Sequence, residues 1–157
     1  MNKVVVNTCY GGYELSAKAL AAIHALKHPG EPVYFYRKVE YTKAGTVYEK
    51  SSPDDKRTRY VLTEDFGDVY IESNNVYNRQ GKSIYKSRLK YEELPRHDKD
   101  LVKVVEELGA EASGPLASLV IEEIDSDLYR IEEYDGSETV VTPKEDMRRY
   151  VKINKED

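Results

Sequence analysis

Residues 7–16 read NTCYGGYELS, and they hold the chain's one cysteine, two adjacent glycines and a serine positioned to cap a helix. A glycine turn that leaves a strand and enters a helix presents backbone N–H groups to an anion. Gly11 and Gly12 permit positive φ and close backbone approach, and the helix start adds partial positive charge. In such a cradle Asn7 and Ser16 would hold phosphate or ribose, and Tyr10 or Tyr13 would stack on a base. Arg96, just ahead of a second helix, would supply charge. The stretch is not a Walker loop, since no Gly-Lys-Ser/Thr follows, and it lacks the third glycine of a dinucleotide fingerprint. Its plainer use is a tight turn that needs small residues.

Other chemistry-bearing residues are sparse. Cys9 could act as a nucleophile if a histidine approached it, but a lone cysteine at a strand end more often packs as a small hydrophobe. His24 and His28 are four apart on one helix face, without a third ligand in the expected spacing, so no metal site is expected. Glu122-Glu123 and Glu132-Glu133 alternate across strands and read as acidic strand surface. Arg79, Lys82, Lys86, Arg88 and Lys90 form a run of positive charge interleaved with Tyr77, Tyr85 and Tyr91. Charge for phosphate and rings for stacking are what a nucleotide or single-strand surface requires. The alternative is a solvated hairpin that meets the acidic surface of another subunit.

The elements that must position these groups are legible. Residues 3–8 read as a buried strand through three consecutive valines. Ser16 caps a helix whose Ala19, Ala22, Ile23 and Leu26 recur at helical spacing, ending near Lys27 before Pro29-Gly30. From Val33 to Tyr91, PVYFYRKVEY, TVYEK, RYVLTE, DVYIES and KSIYKS read as antiparallel strands separated by turns at Ser52-Pro53-Asp54 and Gln80-Gly81. Asp98 caps a second helix with an apolar stripe of Leu101, Val104, Val105, Leu108 and Ala112, closed by Gly109 or by Ser113-Gly114-Pro115. SLVIEEI is a strand, and YRIEEYDGSETVVT is a hairpin around Asp135-Gly136, the pair a type I′ turn favours. KEDMRRYV reads as a last helical segment. The fold class is α+β: mainly antiparallel sheet, two principal helices and a β-rich central insertion at 32–91 within a single domain of 1–157.

Composition bounds the rest. Charged residues make up 34% and hydrophobic ones 39% of the 157 residues, which suits a soluble domain large enough to bury a core. A net charge of −5 argues against stable duplex nucleic-acid binding. Base exceeds acid over residues 1–97 and the balance reverses over 98–157, a distribution that suits self-association or a local anion site. The start is too short and polar for a signal peptide, and no apolar run reaches membrane-span length, so a cytoplasmic location is expected. Fourteen tyrosines accompany two phenylalanines and no tryptophan. Tyrosine serves interfaces and pockets as well as cores, and a homo-oligomer with tyrosines around an intersubunit ligand is the expectation.

Three separated motifs carry a resemblance: NTCYGGYELS, RHDKDLVKVVEELG and EYDG. In this order they resemble an uncharacterised family of small bacteriophage-encoded proteins, matching roughly residues 3–26 and 96–141. The family carries phenylalanine where Tyr13 stands and commonly proline where Lys99 stands, and 32–91 lies outside its pattern. The resemblance implies a phage accessory protein. By analogy with small phage proteins that counter host defence, it implies a non-enzymatic binder of a small anionic nucleotide-like ligand, such as a cyclic ADP-ribose derivative or a cyclic nucleotide, without a cofactor. Asn7, Tyr10, Gly11, Gly12, Tyr13, Ser16 and Arg96 are then the ligand residues. A protein–protein inhibitor working through the tyrosine-rich β section is the other reading, and a nucleotide hydrolase ranks below both.

Overall fold

The computed structural model describes residues 1–75, 77 and 82–144. Arg79, the Gln80-Gly81 turn and the helical segment expected after Lys144 lie outside the described residues. The fold is α+β, and every strand pairing among the described residues is antiparallel. The body is built on β1 (Asn2–Asn7), α1 (Ala17–Lys27), α3 (Lys99–Leu108) and β6 (Leu119–Ile124). Strands β1 and β6 form a two-stranded ribbon with Val6 opposite Val120. Alternation explains why the valine run is continuous. Val5 packs with Leu20, Ile23, Leu101 and Val105 of the two helices, whereas Val4 and Val6 face the other way. There they meet Ile131 and Val140 of the hairpin β7 (Arg130–Tyr134) and β8 (Ser137–Val141). A strand with a core on each face has no polar side to spare.

Both helices begin as their sequences predict. Ser16 Oγ accepts from the Ala19 amide at 3.1 Å, and Asp98 Oδ1 accepts from the Asp100 and Leu101 amides at 3.0 Å each. Gly109 closes α3 with φ 58°. Asp98 also binds Lys27 Nζ through Oδ2 at 3.0 Å, tying the end of α1 to the start of α3. Burial works against the Asp98 charge, but the Leu101 amide and the Lys27 ammonium outweigh it and hold the carboxyl below its usual value. Such a group contributes stability above its unfolded pKa, near 4, and that contribution is lost as pH falls through the lower folded value. Asp98→Ala is therefore expected to cost about 1–2 kcal/mol at neutral pH. The difference from the parent in urea denaturation should shrink as pH falls below about 4.

Residues 34–72 build a sheet of their own, in the order β4 (Tyr60–Leu62), β2 (Tyr34–Thr42), β3 (Gly45–Lys50), β5 (Val69–Glu72). Its strands alternate between two environments. Phe35 and Val61 pack into the helical core, while Tyr36, Tyr48, Tyr60 and Leu62 point to the opposite face and bury one another with Ile84. Tyr34, Phe66 and Tyr70 close that second core, in which aromatic rings surround Leu62 and Ile84. KSIYKS, expected as a strand, instead supplies one helical turn, α2 (Ile84–Ser87). Its start is fixed by two acceptors that a strand would leave idle. Ser83 Oγ accepts from the Tyr85 amide, and the buried Glu72 carboxylate accepts from the Ile84 amide at 2.6 Å. Both favour a helical entry over extended pairing.

Candidate functional site

The turn at 7–16, Arg96 and the tip of the β7–β8 hairpin converge on one another. Asn7 is fully buried, and its side chain is fully engaged. Nδ2 donates to the carbonyls of Cys9 (2.7 Å) and Gly136 (2.8 Å), and Oδ1 accepts from the amides of Ser118 (2.8 Å) and Cys9 (3.2 Å). Two donors and two acceptor positions are all a carboxamide has. Gly11 lies so close to Leu116 that a Cβ would overlap the Leu116 carbonyl, and a Cβ on Gly136 would strike the backbone of Tyr10 and Gly12. The hairpin tip thus occupies the concave side of the turn. Gly12 has φ +93° with open space beside it. Tyr10 is 68% exposed.

Arg96 reaches the same place but arrives neutralised. Its guanidinium binds Glu138 of β8 in a two-pronged pair at 2.6 and 2.8 Å and lies over the Tyr13 ring, 3.5 Å from its centroid. The Arg96 and Glu138 side chains are 19% and 7% exposed. Glu138 accepts from the Asn7 amide as well, at 2.8 Å. Burial lowers the tendency of Arg96 to hold its proton, and the Glu138 carboxylate more than restores it. Burial also pushes the Tyr13 phenol up, so it stays a neutral hydroxyl, without a hydrogen-bond partner among the described residues. Asn7, Tyr13 and Arg96 are therefore brought together, as expected of a site, but the Asn7 side chain is spent on backbone and Arg96 on Glu138, which leaves only the buried Tyr13 hydroxyl without a partner among the described residues. Glu138 is the member that sequence reasoning missed. Its signal was an acid two residues beyond the Asp135-Gly136 turn, on the second strand of the expected hairpin.

Ser16 borders a different feature. A cleft of about 450 Å³ lies between the start of α1, the 53–58 loop and residues 110–115. The Ser16 hydroxyl already donates to the Glu111 carbonyl at 2.6 Å. Lys18 spans the cleft to Asp54 (2.8 Å) and Glu111 (3.3 Å). With Asp55 also in the wall, acid exceeds base there, the wrong balance for an anion. Cys9 is half-buried, and His24 turns elsewhere: its Nδ1 lies 2.6 Å from the Tyr91 hydroxyl and its Nε2 3.3 Å from Glu31.

A second face collects the groups that the turn lacks. In the register of β2 and β3, Lys38 stands opposite Tyr48, on the aromatic side of the sheet. Its Nζ donates to the Tyr41 hydroxyl at 2.8 Å. Arg88 lies over the Tyr60 ring, 5.2 Å from its centroid, and Tyr85 stands edge-on to Tyr60 with ring centroids 6.1 Å apart. Among the described residues no carboxylate comes within 4 Å of the charged nitrogens of Lys38 or Arg88. Tyr41 and Tyr85 keep 73% and 43% of their surface exposed. The sequence marked Arg88 and Tyr85 through the positive run; Lys38 and Tyr41 join them only through strand register. The same geometry accounts for five of the fourteen tyrosines. Tyr34, Tyr36, Tyr48, Tyr60 and Tyr70 build a core within one chain, so an intersubunit pocket is not needed to account for them.

Among the described residues, no helix is long and apolar enough to cross a membrane. Family models, curated proteins and solved structures offer no match to this chain.

Proposed function

We propose that the chain is a non-catalytic, homo-oligomeric binder of a small anionic nucleotide-like ligand. As a phage accessory protein it would act in the host cytoplasm by sequestering a nucleotide-derived immune signal. One observation carries this reading. Arg96 at the turn and Lys18 in the cleft are neutralised by internal carboxylates, whereas Lys38 and Arg88 have no carboxylate partner among the described residues and stand beside partly exposed tyrosine rings. Rings for a base beside uncompensated positive charge for a phosphate form the arrangement that nucleotides require. The turn then serves as the scaffold that closes the body, not as the cradle. Mass spectrometry of small molecules released from protein purified out of cells with an active signalling defence tests it. An intact nucleotide supports sequestration; a converted product points to an enzyme, and an empty protein removes the reading.

A protein–protein module is favoured by a separate observation. Tyr10 and Leu116 stand exposed on backbone that Asn7, Gly11 and Gly136 lock in place. Rigid aromatic and aliphatic side chains lose little freedom on binding, which is how interface anchors act. That surface is the turn, rather than the β section, whose tyrosines largely bury one another.

A further inference from the structure

Within the aromatic face, four phenols gather near one ammonium. Lys38 Nζ uses one of its three donors on Tyr41, a neutral partner, and among the described residues no carboxylate claims the other two. Its pKa is raised first by that hydrogen bond, with Tyr60 and Tyr85 adding to it, so the side chain stays charged. Tyr48 is buried and donates to the Tyr85 hydroxyl at 3.4 Å. A hydroxyl that accepts a hydrogen bond becomes a better donor through its own proton. Tyr85 shows this polarisation: the hydrogen bond from Tyr48 lowers its pKa, and Tyr60 and Lys38 lower it further. Tyr85 is 43% exposed, and because its hydroxyl accepts from Tyr48 its own proton remains available to donate. The opposing charge is Glu72, whose carboxylate raises Tyr48 and Tyr85 but is held back by the Ile84 amide. Against Glu72 stand Lys38 and Arg88, and the balance is positive.

We infer that Lys38, with the hydroxyls of Tyr41 and Tyr85, forms an oxyanion site that takes a phosphate group. An ammonium held on the Tyr41 hydroxyl, with phenol protons beside it, suits a tetrahedral anion, and Arg88 over the Tyr60 ring adds positive charge on the same face. This site rests on the reading of the face as a nucleotide-binding surface and gives that surface its phosphate end.

The test is a titration of the full chain, labelled with ¹³C at tyrosine Cζ, with inorganic phosphate and then AMP, against chloride at matched ionic strength. Tyr85 and Tyr60 are expected to shift saturably with phosphate and not with chloride. Lys38→Met, at an exposed position that should not disturb folding, is expected to weaken phosphate at least about tenfold, and Tyr85→Phe about threefold. Circular dichroism melting confirms that both variants fold. Shifts that match chloride, or that persist undiminished in Lys38→Met, overturn the site. If AMP binds equally well to parent and Lys38→Met, the nucleotide reading survives and the phosphate site falls. If phosphate saturates Tyr85 but AMP binds no tighter than phosphate, the site stands and the nucleotide reading falls.

Discussion

Replacing Arg96 with alanine is expected to cost the fold about 3–5 kcal/mol, because it strands the Glu138 carboxylate in a buried position without its partner. The loss should extend beyond the pair. Glu138 also holds the Asn7 amide, and the Arg96 carbonyl accepts from the Val5 amide at 2.8 Å. One ion pair therefore pins the end of β1, the approach to α3 and the start of β8. The paired change Arg96→Met with Glu138→Gln removes both charges, nearly keeps the volume and leaves an acceptor for the Asn7 amide, so it should recover most of the stability. Urea denaturation of the single and double variants checks both statements. A single variant within about 1 kcal/mol of the parent would mean that the pair behaves as a surface ion pair and leave Arg96 free for the ligand-binding charge expected from the sequence.

The second large effect falls on Gly136. Alanine there must adopt φ near +91° and drive its methyl group into the backbone of Tyr10 and Gly12. Left-handed strain and overpacking together should cost about 3 kcal/mol. Gly12→Ala is the internal control. It carries the strain, at φ +93°, but its methyl would enter open space, so about 1 kcal/mol is expected. Thermal melts that rank Gly136→Ala well below Gly12→Ala establish that the hairpin tip fills the turn. Equal losses would mean that it does not.

How far the sequence could be read follows from the range of the interactions involved. The Ser16 and Asp98 caps, the stop at Gly109 and the Asp135-Gly136 turn, with φ 50° and 91°, are local, and residue type and spacing sufficed. KSIYKS failed because the group that starts its helical turn is Glu72, twelve residues away and hidden in the sheet. The turn at 7–16 was found, but its role was not legible. Nothing local says that the Asn7 amide is consumed by Gly136 and Ser118, or that Arg96 meets Glu138. Those partners lie across the ribbon of β1 and β6 and the hairpin beside it. Lys38 was missed for a similar reason: its register opposite Tyr48, past the irregularity between Lys38 and Glu40, decides which face it joins.

The ligand's location is the point on which the account stands or falls. Titration of ¹⁵N-labelled protein with AMP and with ADP-ribose, followed by backbone amide shifts, tests it most directly. Saturable shifts centred on Lys38, Tyr41, Tyr60, Tyr85 and Arg88 are expected, with Asn7 to Ser16 and Arg96 unmoved. Shifts centred on the turn and Arg96, or none with either compound, would contradict it.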